Sequence, residues 1–437
     1  MAAAILGNGV ANANTDVTGY DKKNSQIPKR IFYGAYSGFF DAGKDATGGA
    51  VTVSESQDSP YAEVDSVYGG YYDSTKGSGS THDNQISMSG GKVTTLYGGR
   101  GLSGVVESNT VTMTGGTAND VYGGYGLSGV VANTVTMTGG TANNVYGGTS
   151  DRTTTQDNWV EVLGGKVNQN VHGGYSSYAD GNSNNNTVLI TGGEIGGDVY
   201  GGQSTGDAAS NNAVYITGGV IGGCVHGGYS PISATNNKIY LYGVGSSLEL
   251  QGKTYDGQEI ELGAVAAISP GTCSGNSIDI YGSGISAKTM GRRGEMQILN
   301  FHIAEAQLAN GGDVMVTLTD APLDLTTFLI PTEEISTPEY SLTFDAVSAL
   351  EWKPGTSVTL VSDALGIKIN ENLLDKEYNI YQNGHPETMV GTATLKLEQG
   401  EGTTQFLKLV VPGNVPEPTT GTLGLLALAG LCARRRK

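Results

Sequence analysis

Cysteine is scarce in this chain, with three residues among 437. Three thiols cannot build a disulfide scaffold or a four-thiolate zinc site. Cys224 and Cys273 lie about two units of the internal repeat apart, beyond ordinary disulfide reach unless the segment between them folds back. Cys432 lies in the C-terminal tail, where we expect an ordinary small apolar residue; the alternative is a lipid-carrying thiol.

Charged residues are also few, and the basic ones are the scarcest. Asp and Glu total 42 against 24 Lys and Arg, so the formal net charge is −18. Because a duplex-binding protein needs a cationic surface to release counterions from phosphates, we expect no nucleic-acid partner. Glycine does not recur at every third position, which excludes a collagen triple helix. A hydrophobic content of 38% with periodic Val, Ile and Tyr argues against whole-chain disorder.

Glycine is abundant instead, and its pairs mark an internal repeat. A pair follows Tyr or His seven times between residues 68 and 228, at spacings of 24 to 29 residues. A second pair lies eight or nine residues earlier, and an Asn precedes that pair. The unit therefore reads Asn-x-(Val/Ile)-x-(Met/Val/Ile/Leu)-x-Gly-Gly, a short spacer, and Val-(Tyr/His)-Gly-Gly.

Each unit predicts short strands that cannot bury their apolar face alone. Val111 and Met113 are two residues apart, so they share one face of a strand. We expect the glycine pairs to stop the strands at corners with φ > 0, and the variable loop to hold a third strand at most. Stacked units bury the apolar face together. The sequence therefore predicts an all-β fold, a parallel β-helix of about eight or nine coils and about 40 Å long.

The asparagines recur once per unit and predict a ladder. In a solenoid, equivalent positions stack, so Asn side chains can bond the local backbone and each other. The alternative is a polar binding strip. The series comprises Asn84, Asn109, Asn133, Asn158, Asn186, Asn212, Asn237 and Asn276.

A second series occupies the aromatic slot before the later glycine pair. If these rings are exposed, they form a stripe that could stack on sugar rings, which would make glycans a partner. The alternative is a self-stacked outer ladder that shields strand edges. The series comprises Tyr68, Tyr97, Tyr122, Tyr146, His172, Tyr200 and His226.

Catalytic chemistry is not evident. Polysaccharide lyases and hydrolases with this fold need clustered carboxylates, and here outward carboxylates such as Glu161 and Asp279 look isolated in the sequence. His172 and His226 fit better as variants of the Tyr slot. Asp198 could hold an incidental ion, but the position is too irregular between units for an ion ladder. We therefore expect no enzyme, cofactor or metal; a polysaccharide-acting enzyme is the alternative.

From about residue 295 the pattern changes to alternating runs separated by turn signals, without regular glycine pairs. This predicts a β-rich region over residues 295–412, either a small sandwich or irregular final coils that cap the solenoid. Trp352-Lys353-Pro354-Gly355, followed by the run from Val358 to Val361, resembles the ends of autotransporter passenger solenoids. A secreted passenger delivered by an autotransporter is therefore another reading of the repeats.

The C-terminus combines an extended Pro-Glu-Pro motif, an apolar stretch and a basic end. Its parts are Pro416, Glu417 and Pro418, then residues 421–433, then Arg434, Arg435 and Arg436. An apolar helix of about 20 Å is shorter than a bilayer core, and the basic end would stay cytoplasmic.

This tail at residues 413–437 closely resembles the PEP-CTERM sorting signal of Gram-negative bacteria. The resemblance implies recognition by an exosortase, transient anchoring in the inner membrane, and export to the cell surface, outer envelope or extracellular matrix. An ordinary tail anchor is the alternative.

The N-terminus agrees in part with export. Residues 1–10 are weakly apolar, and Ala11-Asn12-Ala13 has the small-x-small form of a signal-peptidase site, but a cationic segment is missing. Either the true start lies upstream or the segment is not a signal; we expect a residual signal peptide at 1–13. The repeats then occupy 14–294. Together these features predict a structural or adhesin-like surface protein.

Overall fold

The computed structural model describes residues 14–18, 31–37, 45–54, 63–73, 79–265, 271–291, 296–309, 313–331, 338–348, 354–385 and 387–412. Within these ranges the chain is built almost wholly of short strands. The expected signal-peptide remnant at 1–13 and the expected C-terminal helix lie outside the described residues, as does the Pro-Glu-Pro motif.

The strand that follows each repeat asparagine belongs to one stack, here called sheet 1. Each strand pairs in parallel with its equivalent in the next coil, in continuous register. Its strands are Asn14–Thr18, Ala50–Ser54, Gln85–Met88, Thr110–Met113, Thr134–Met137, Trp159–Val162, Thr187–Ile190, Ala213–Ile216, Lys238–Tyr242, Ser277–Tyr281, Ile298–Ile303, Ser341–Ala346 and Glu377–Gln382.

The strands that carry the aromatic slot form a second parallel stack, sheet 2. Its strands are Ile31–Ser37, Glu63–Tyr72, Lys92–Gly101, Thr117–Gly126, Thr141–Ser150, Lys166–Val167, Val171–Ser176, Glu194–Ile195, Val199–Ser204, Gly219–Tyr229, Ile260–Val265, Ile285–Met290, Val314–Leu318 and Ser357–Asp363.

A third stack, sheet 3, closes each coil with strands of two or three residues. In the described part of the chain it has nine strands. They are Ala46–Thr47, Thr81–His82, Val106–Glu107, Val130–Val131, Thr155–Gln156, Ser183–Asn184, Ala208–Ser210, Ser233–Thr235 and Thr272–Ser274. Three parallel stacks around one interior confirm the prediction of an all-β parallel solenoid. The expected number of eight or nine coils is too low, since sheet 1 has thirteen strands in the described residues and its coils continue beyond residue 295.

The interior is a continuous column of aliphatic side chains. Val111 and Met113 of sheet 1 and Val121 of sheet 2 are each at most 1% exposed. Equivalent side chains of the other coils join them in one buried cluster that runs from Val51 to Leu409. Burial of a Val or Met side chain stabilises the fold by about 1.5–3 kcal/mol, so stacking supplies what a single coil lacks.

The two kinds of glycine pair have different roles, and the expectation that both make corners is wrong. The earlier pair does turn a corner, since Gly116 and Gly140 have φ of 82° and 83°. The pair after Tyr lies inside a strand of sheet 2. A Cβ on Gly123 would lie 2.5 Å from the carbonyl oxygen of Gly147, and one on Gly124 would lie 2.5 Å from the Asn133 amide. This pair is therefore required by close packing.

The region from residue 295 continues the coils. Strands Ile298–Ile303 and Ser341–Ala346 stay in parallel register with sheet 1, and a short separate parallel pair forms between Leu323–Leu325 and Ile367–Ile369. One turn of α-helix at Glu305–Ala309 and a 3₁₀ turn at Glu371–Leu373 interrupt the strands. Of the two readings left open for this region, the geometry is that of irregular final coils.

An antiparallel hairpin, Met389–Gln399 and Gln405–Val410, ends the described chain. Its first strand pairs with the last strand of sheet 1, Glu377–Gln382, and its second with the last strand of sheet 2, Ser357–Asp363. The hairpin therefore covers the open edges of both sheets, and we call it the cap hairpin.

A second antiparallel hairpin, Ser247–Leu250 and Lys253–Asp256, is the insertion after the degraded glycine pair. It lies against the outer face of sheet 1. Its Leu248 is 4% exposed and packs in a cluster with Leu189 and Tyr242. The insertion is therefore a packed element of the fold, here called the side hairpin.

Candidate functional site

The aromatic slot forms a continuous stacked ladder on the outer face of sheet 2. Parallel register places each ring over its equivalent in the next coil. Ring centroids are 4.7–5.0 Å apart, with interplanar angles of 4–11°. The ladder comprises Tyr68, Tyr97, Tyr122, Tyr146, His172, Tyr200 and His226.

The rings of this aromatic ladder cover one another's faces. His172 is 4% exposed, and burial lowers its pKa to about 3, so it is neutral at pH 7. Burial likewise raises the pKa of the Tyr146 phenol to about 12. A sugar ring stacks on an aromatic face, and here those faces are already occupied by neighbouring rings. The geometry is that of the self-stacked alternative.

A second, more open row lies beside the ladder, and the repeat pattern did not reveal it. We call it the outer tyrosine row. Three residues beyond the ladder positions, and from Tyr71 onward, sheet 2 carries half-buried tyrosines on alternate coils, separated by Arg, Thr or Gln. In the coil before, Tyr36 pairs in register with Tyr71. Its four tyrosines are Tyr71, Tyr125, Tyr175 and Tyr229. A tyrosine present only in every second coil does not register as a repeat, although its spacing could have been found by comparing alternate units.

The asparagine series lies inside the solenoid, at the corner between sheets 3 and 1. Each Asn Nδ2 donates to Oδ1 of the next Asn at 2.8–3.1 Å, from Asn84 through to Asn276. Each Nδ2 also donates to a carbonyl of sheet 3, as from Asn133 to Val106 at 3.0 Å. All eight are at most 1% exposed. The series is therefore inaccessible to a ligand.

The carboxylate of Asp279 is not isolated, contrary to the expectation from sequence. Its Oδ1 lies 3.2 Å from Nε2 of His302, whose Nδ1 lies 2.6 Å from Oδ1 of Asp345. Asn300 and Ser277 also donate to Asp279, both at 2.7 Å. The irregular coils bring together residues 279, 302 and 345, which no constant repeat length relates.

This His302 cluster is electrostatically self-contained. Burial disfavours the imidazolium, but the hydrogen bonds with both aspartates outweigh it and raise the pKa of His302 to about 9. Burial also opposes ionisation of Asp279, yet its hydrogen bonds lower its pKa below the usual value. The cluster therefore holds an imidazolium between two carboxylates at neutral pH. Its outer side, with Tyr281 stacked on His302 at 4.0 Å, lines a cavity of about 560 Å³.

Glu161, the other carboxylate expected to be isolated, is covered by the side hairpin. Its Oε1 accepts a hydrogen bond from the Tyr255 hydroxyl at 2.9 Å and lies 3.8 Å from Nζ of Lys253. Glu161 is 7% exposed. Its role is to fix the side hairpin against sheet 1, since the contact joins residues almost a hundred positions apart.

Within the described ranges, no group of three or more His, Cys, Asp or Glu side chains is arranged to hold a metal ion. The carboxylate of Asp198, considered for an incidental ion, instead accepts from the Cys224 amide at 2.7 Å and the Tyr200 hydroxyl at 2.9 Å. Cys224 and Cys273 are not joined by a disulfide. Among the same described residues, no helix has the length and apolarity needed to span a bilayer.

Comparison with protein families matches residues 414–437 to the family described as PEP-CTERM protein-sorting motif. The chain carries a PEP-CTERM sorting signal. The PEP-CTERM match includes Pro416, Glu417, Pro418 and the three terminal arginines, all of which lie outside the described residues. Searches of the curated proteins and of the solved structures found no match. The autotransporter resemblance of the repeats therefore stays a prediction.

A PEP-CTERM signal indicates an exported protein, sorted to the surface of a Gram-negative cell through processing by an exosortase-type enzyme. The signal gives the destination of the chain. It assigns the chain no activity.

Proposed function

We propose that the chain is a structural or adhesin-like component of the cell surface or extracellular matrix. The observation that carries the proposal is the PEP-CTERM signal at residues 414–437, directly after a solenoid whose end is closed by the cap hairpin. The solenoid supports it: a column of buried aliphatics, asparagines and stacked rings extends through successive coils. Such a rod suits a spacer or a scaffold outside the cell.

The finer steps of sorting are part of the same proposal. We infer that the tail anchors the chain transiently in the inner membrane, with the arginines on the cytoplasmic side, before an exosortase processes it. Pro416 and Pro418 favour extended backbone, which an enzyme can bind as a strand. The mature protein then resides at the outer envelope or in the matrix.

Localisation and C-terminal mass test this proposal directly. Replacement of Pro416, Glu417 and Pro418 by alanine should retain the chain in the inner membrane with an intact tail. The wild type should be surface-exposed and shortened. Pro412→Ala, just before the matched segment, is the matched control and should behave as the wild type. If wild type and triple variant are both cytoplasmic with intact tails, the proposal is wrong.

We further infer that the chain is not an enzyme. The His302 cluster provides the most direct test of this inference. A glycoside hydrolase needs one protonated carboxyl group beside one ionised group. In this cluster both aspartates bond the same imidazolium, and the pKa of Asp279 is lowered. The alternative, a polysaccharide lyase or hydrolase, predicts depolymerisation that His302→Gln abolishes. Depolymerisation of any polysaccharide by the wild type but not by His302→Gln would favour that alternative.

A further inference from the structure

The cavity of about 560 Å³ beside the His302 cluster opens on the outer face of sheet 1, next to the side hairpin; we call it the hairpin cavity. It is lined by a three-ring stack of Tyr242, Tyr281 and His302, which occupy equivalent positions in three successive coils. The base of the side hairpin lines it as well, as do Ala304 and Val347 of the later coils. Its volume lies within the range of about 300–1,000 Å³ that is usual for small-molecule sites in proteins.

The stacked rings offer a ligand their edges and polar atoms. The ring centroids of Tyr242 and Tyr281 are 4.4 Å apart, and those of Tyr281 and His302 are 4.0 Å apart, with interplanar angles of 6° and 7°. The faces between the rings are therefore covered. Burial raises the pKa of both phenols, so they are protonated at neutral pH. A phenol hydroxyl can both donate and accept hydrogen bonds.

The side hairpin adds hydroxyl groups and a carboxylate to the hairpin cavity. Ser246 and Ser247 line it at the start of the first strand, and Asp256 at the end of the second, where it is the register partner of Ser247. Ser247 and Asp256 are exposed, so their side chains are open to a ligand. The two oxygens of a carboxylate can accept hydrogen bonds from neighbouring hydroxyl groups of one ligand.

The charges around the cavity disfavour an anion. The His302 imidazolium is offset by Asp279 and Asp345, and Asp256 adds a third carboxylate. Among the described residues that line the cavity there is neither Lys nor Arg. An anionic ligand would therefore meet net negative charge with no cationic partner of its own.

The same charges give a cation little to bind. Asp279 and Asp345 are already engaged by the imidazolium between them. An ammonium group would have only the Asp256 carboxylate, and an exposed ion pair of this kind contributes little because solvent screens it. Hydroxyl groups, in contrast, can use the carboxylate, the serines and the phenols together. The lining therefore favours an uncharged ligand that carries several hydroxyl groups.

We propose that the hairpin cavity binds a neutral sugar residue of a glycan. The Asp256 carboxylate accepts hydrogen bonds from adjacent sugar hydroxyls, and the Ser247 and Tyr281 hydroxyls bond to others. This inference rests on the proposed function, because it gives a structural or adhesin-like surface protein a site for the glycan that it holds. The sugar is bound without being cleaved, since Asp279 and Asp345 both bond His302 and neither is left to act as an acid.

Binding of simple glycosides to the full chain tests the proposal. The probes are the methyl glycosides of glucose, galactose, mannose and N-acetylglucosamine, followed by saturation-transfer NMR titration. At least one should bind saturably. For the sugar that binds best, the uronic acid analogue is the anionic comparison and should bind at least about tenfold more weakly. The amino analogue is the cationic comparison and should remain within about threefold of its neutral parent.

Three variants connect the binding to the hairpin cavity. Asp256→Asn should weaken binding of the best sugar about tenfold, because a charged acceptor is lost. Tyr281→Phe keeps the ring stack and should weaken binding about threefold, because one hydroxyl is lost. Glu249→Gln is the matched control, since Glu249 is exposed on the same hairpin but does not line the cavity. It should bind as the wild type, and melting curves establish that each variant folds.

Several results would overturn the inference. They are the absence of binding by all four neutral glycosides, an affinity for the uronic acid analogue equal to that for its parent, an amino analogue that binds tenfold more tightly, and an unchanged affinity in Asp256→Asn. Localisation of the wild type is measured separately on cells. A surface-exposed chain that fails this binding test leaves the proposed function intact.

Discussion

At the scale of single residues, the backbone before each ladder asparagine is the least ordinary feature of the coil. The preceding residue adopts a left-handed conformation, with φ of 54–57° where it is not glycine. Asn, Asp and Gly adopt this conformation at little energetic cost. In other residues the close approach of Cβ to the backbone raises the conformational energy. The residues are Asp83, Ser108, Ala132, Asp157, Asn185, Asn211, Asn236 and Gly275. Most of these residue types favour turns, so the sequence indicates a turn before each asparagine. Ala132 does not favour a left-handed conformation, so the sequence does not indicate one at that position.

Ala132→Gly should therefore stabilise the protein. Ala132 has φ of 54° and an exposed side chain, so glycine removes strain and loses little packing. We expect a gain of about 1 kcal/mol in the free energy of unfolding, measured by urea denaturation. Ala118→Gly, at a buried strand position, is the control and should destabilise the protein. A loss of stability in Ala132→Gly would contradict the strain argument.

His172 makes the aromatic ladder sensitive to acid. The pKa of its buried imidazole is lowered from 6.5 to about 3, by burial first and by His226 to a lesser extent. Its Nδ1 has no hydrogen-bond partner among the described residues. Between pH 6.5 and 3 the unfolded chain binds a proton that the folded chain does not. Stability from this site is therefore present above about pH 6.5 and is lost as the pH falls.

His172→Tyr should remove this sensitivity, because tyrosine already fills the slot in most coils. The free energy of unfolding of the variant, relative to the wild type, should rise by about 2–3 kcal/mol between pH 7 and pH 4. Urea denaturation at both pH values measures the difference. His385→Tyr, the same replacement at an exposed histidine outside the ladder, is the control. A constant difference between His172→Tyr and the wild type would contradict the assignment.

At the scale of strands, periodicity decided what could be predicted. Val111 and Met113 alternate with polar residues, so sheet 1 is evident from the sequence. Sheet 3 has strands of two or three residues, such as Val130–Val131, which are too short to carry a period. A position can require glycine either because its φ is positive or because a Cβ would not fit. The Tyr-Gly-Gly pairs were predicted to be corners on the first ground, whereas the second applies. Contacts between coils distinguish these uses, and the sequence does not contain them.

The asparagine ladder is the element whose loss should cost most per residue. In Asn133→Ala, the Asn109 side chain and backbone amide lose a shared acceptor, at 2.9 and 3.1 Å in the wild type. The Val106 carbonyl loses a donor. Since these groups are buried, we expect a loss of about 3 kcal/mol in the free energy of unfolding, measured by chemical denaturation.

Asn143→Ala provides the matched control for the ladder. Asn143 occurs in the neighbouring part of the same coil, and its hydrogen bonds with Asn119 and Asn168 are exposed. Its replacement should cost no more than about 0.5 kcal/mol. An unchanged melting curve for Asn133→Ala, or equal losses in the two variants, would show that the stacked amides do not stabilise the solenoid.

At the scale of the whole molecule, most of the contacts that could not be predicted from the sequence lie in the irregular coils. Ile298–Ile303 and Ser341–Ala346 extend sheet 1 without the glycine pairs or the asparagine that mark the earlier units. Register across these coils brings His302 to Asp345, two residues 43 positions apart. The side hairpin breaks the repeat length in a similar way and covers Glu161. Where coil length varies, neighbours in space cannot be read from a constant period.

A stack of parallel strands ends in unpaired backbone groups and invites association with other chains. The cap hairpin prevents this by pairing with Glu377–Gln382 and Ser357–Asp363, and its Leu395 and Leu409 close the aliphatic column at 0% exposure. Truncation after residue 388 removes the cap hairpin and should cause concentration-dependent self-association, measured by light scattering during size-exclusion chromatography. Truncation after residue 412 keeps the hairpin and should leave the mass unchanged. A folded, monomeric product of the shorter truncation at every concentration would contradict the capping role.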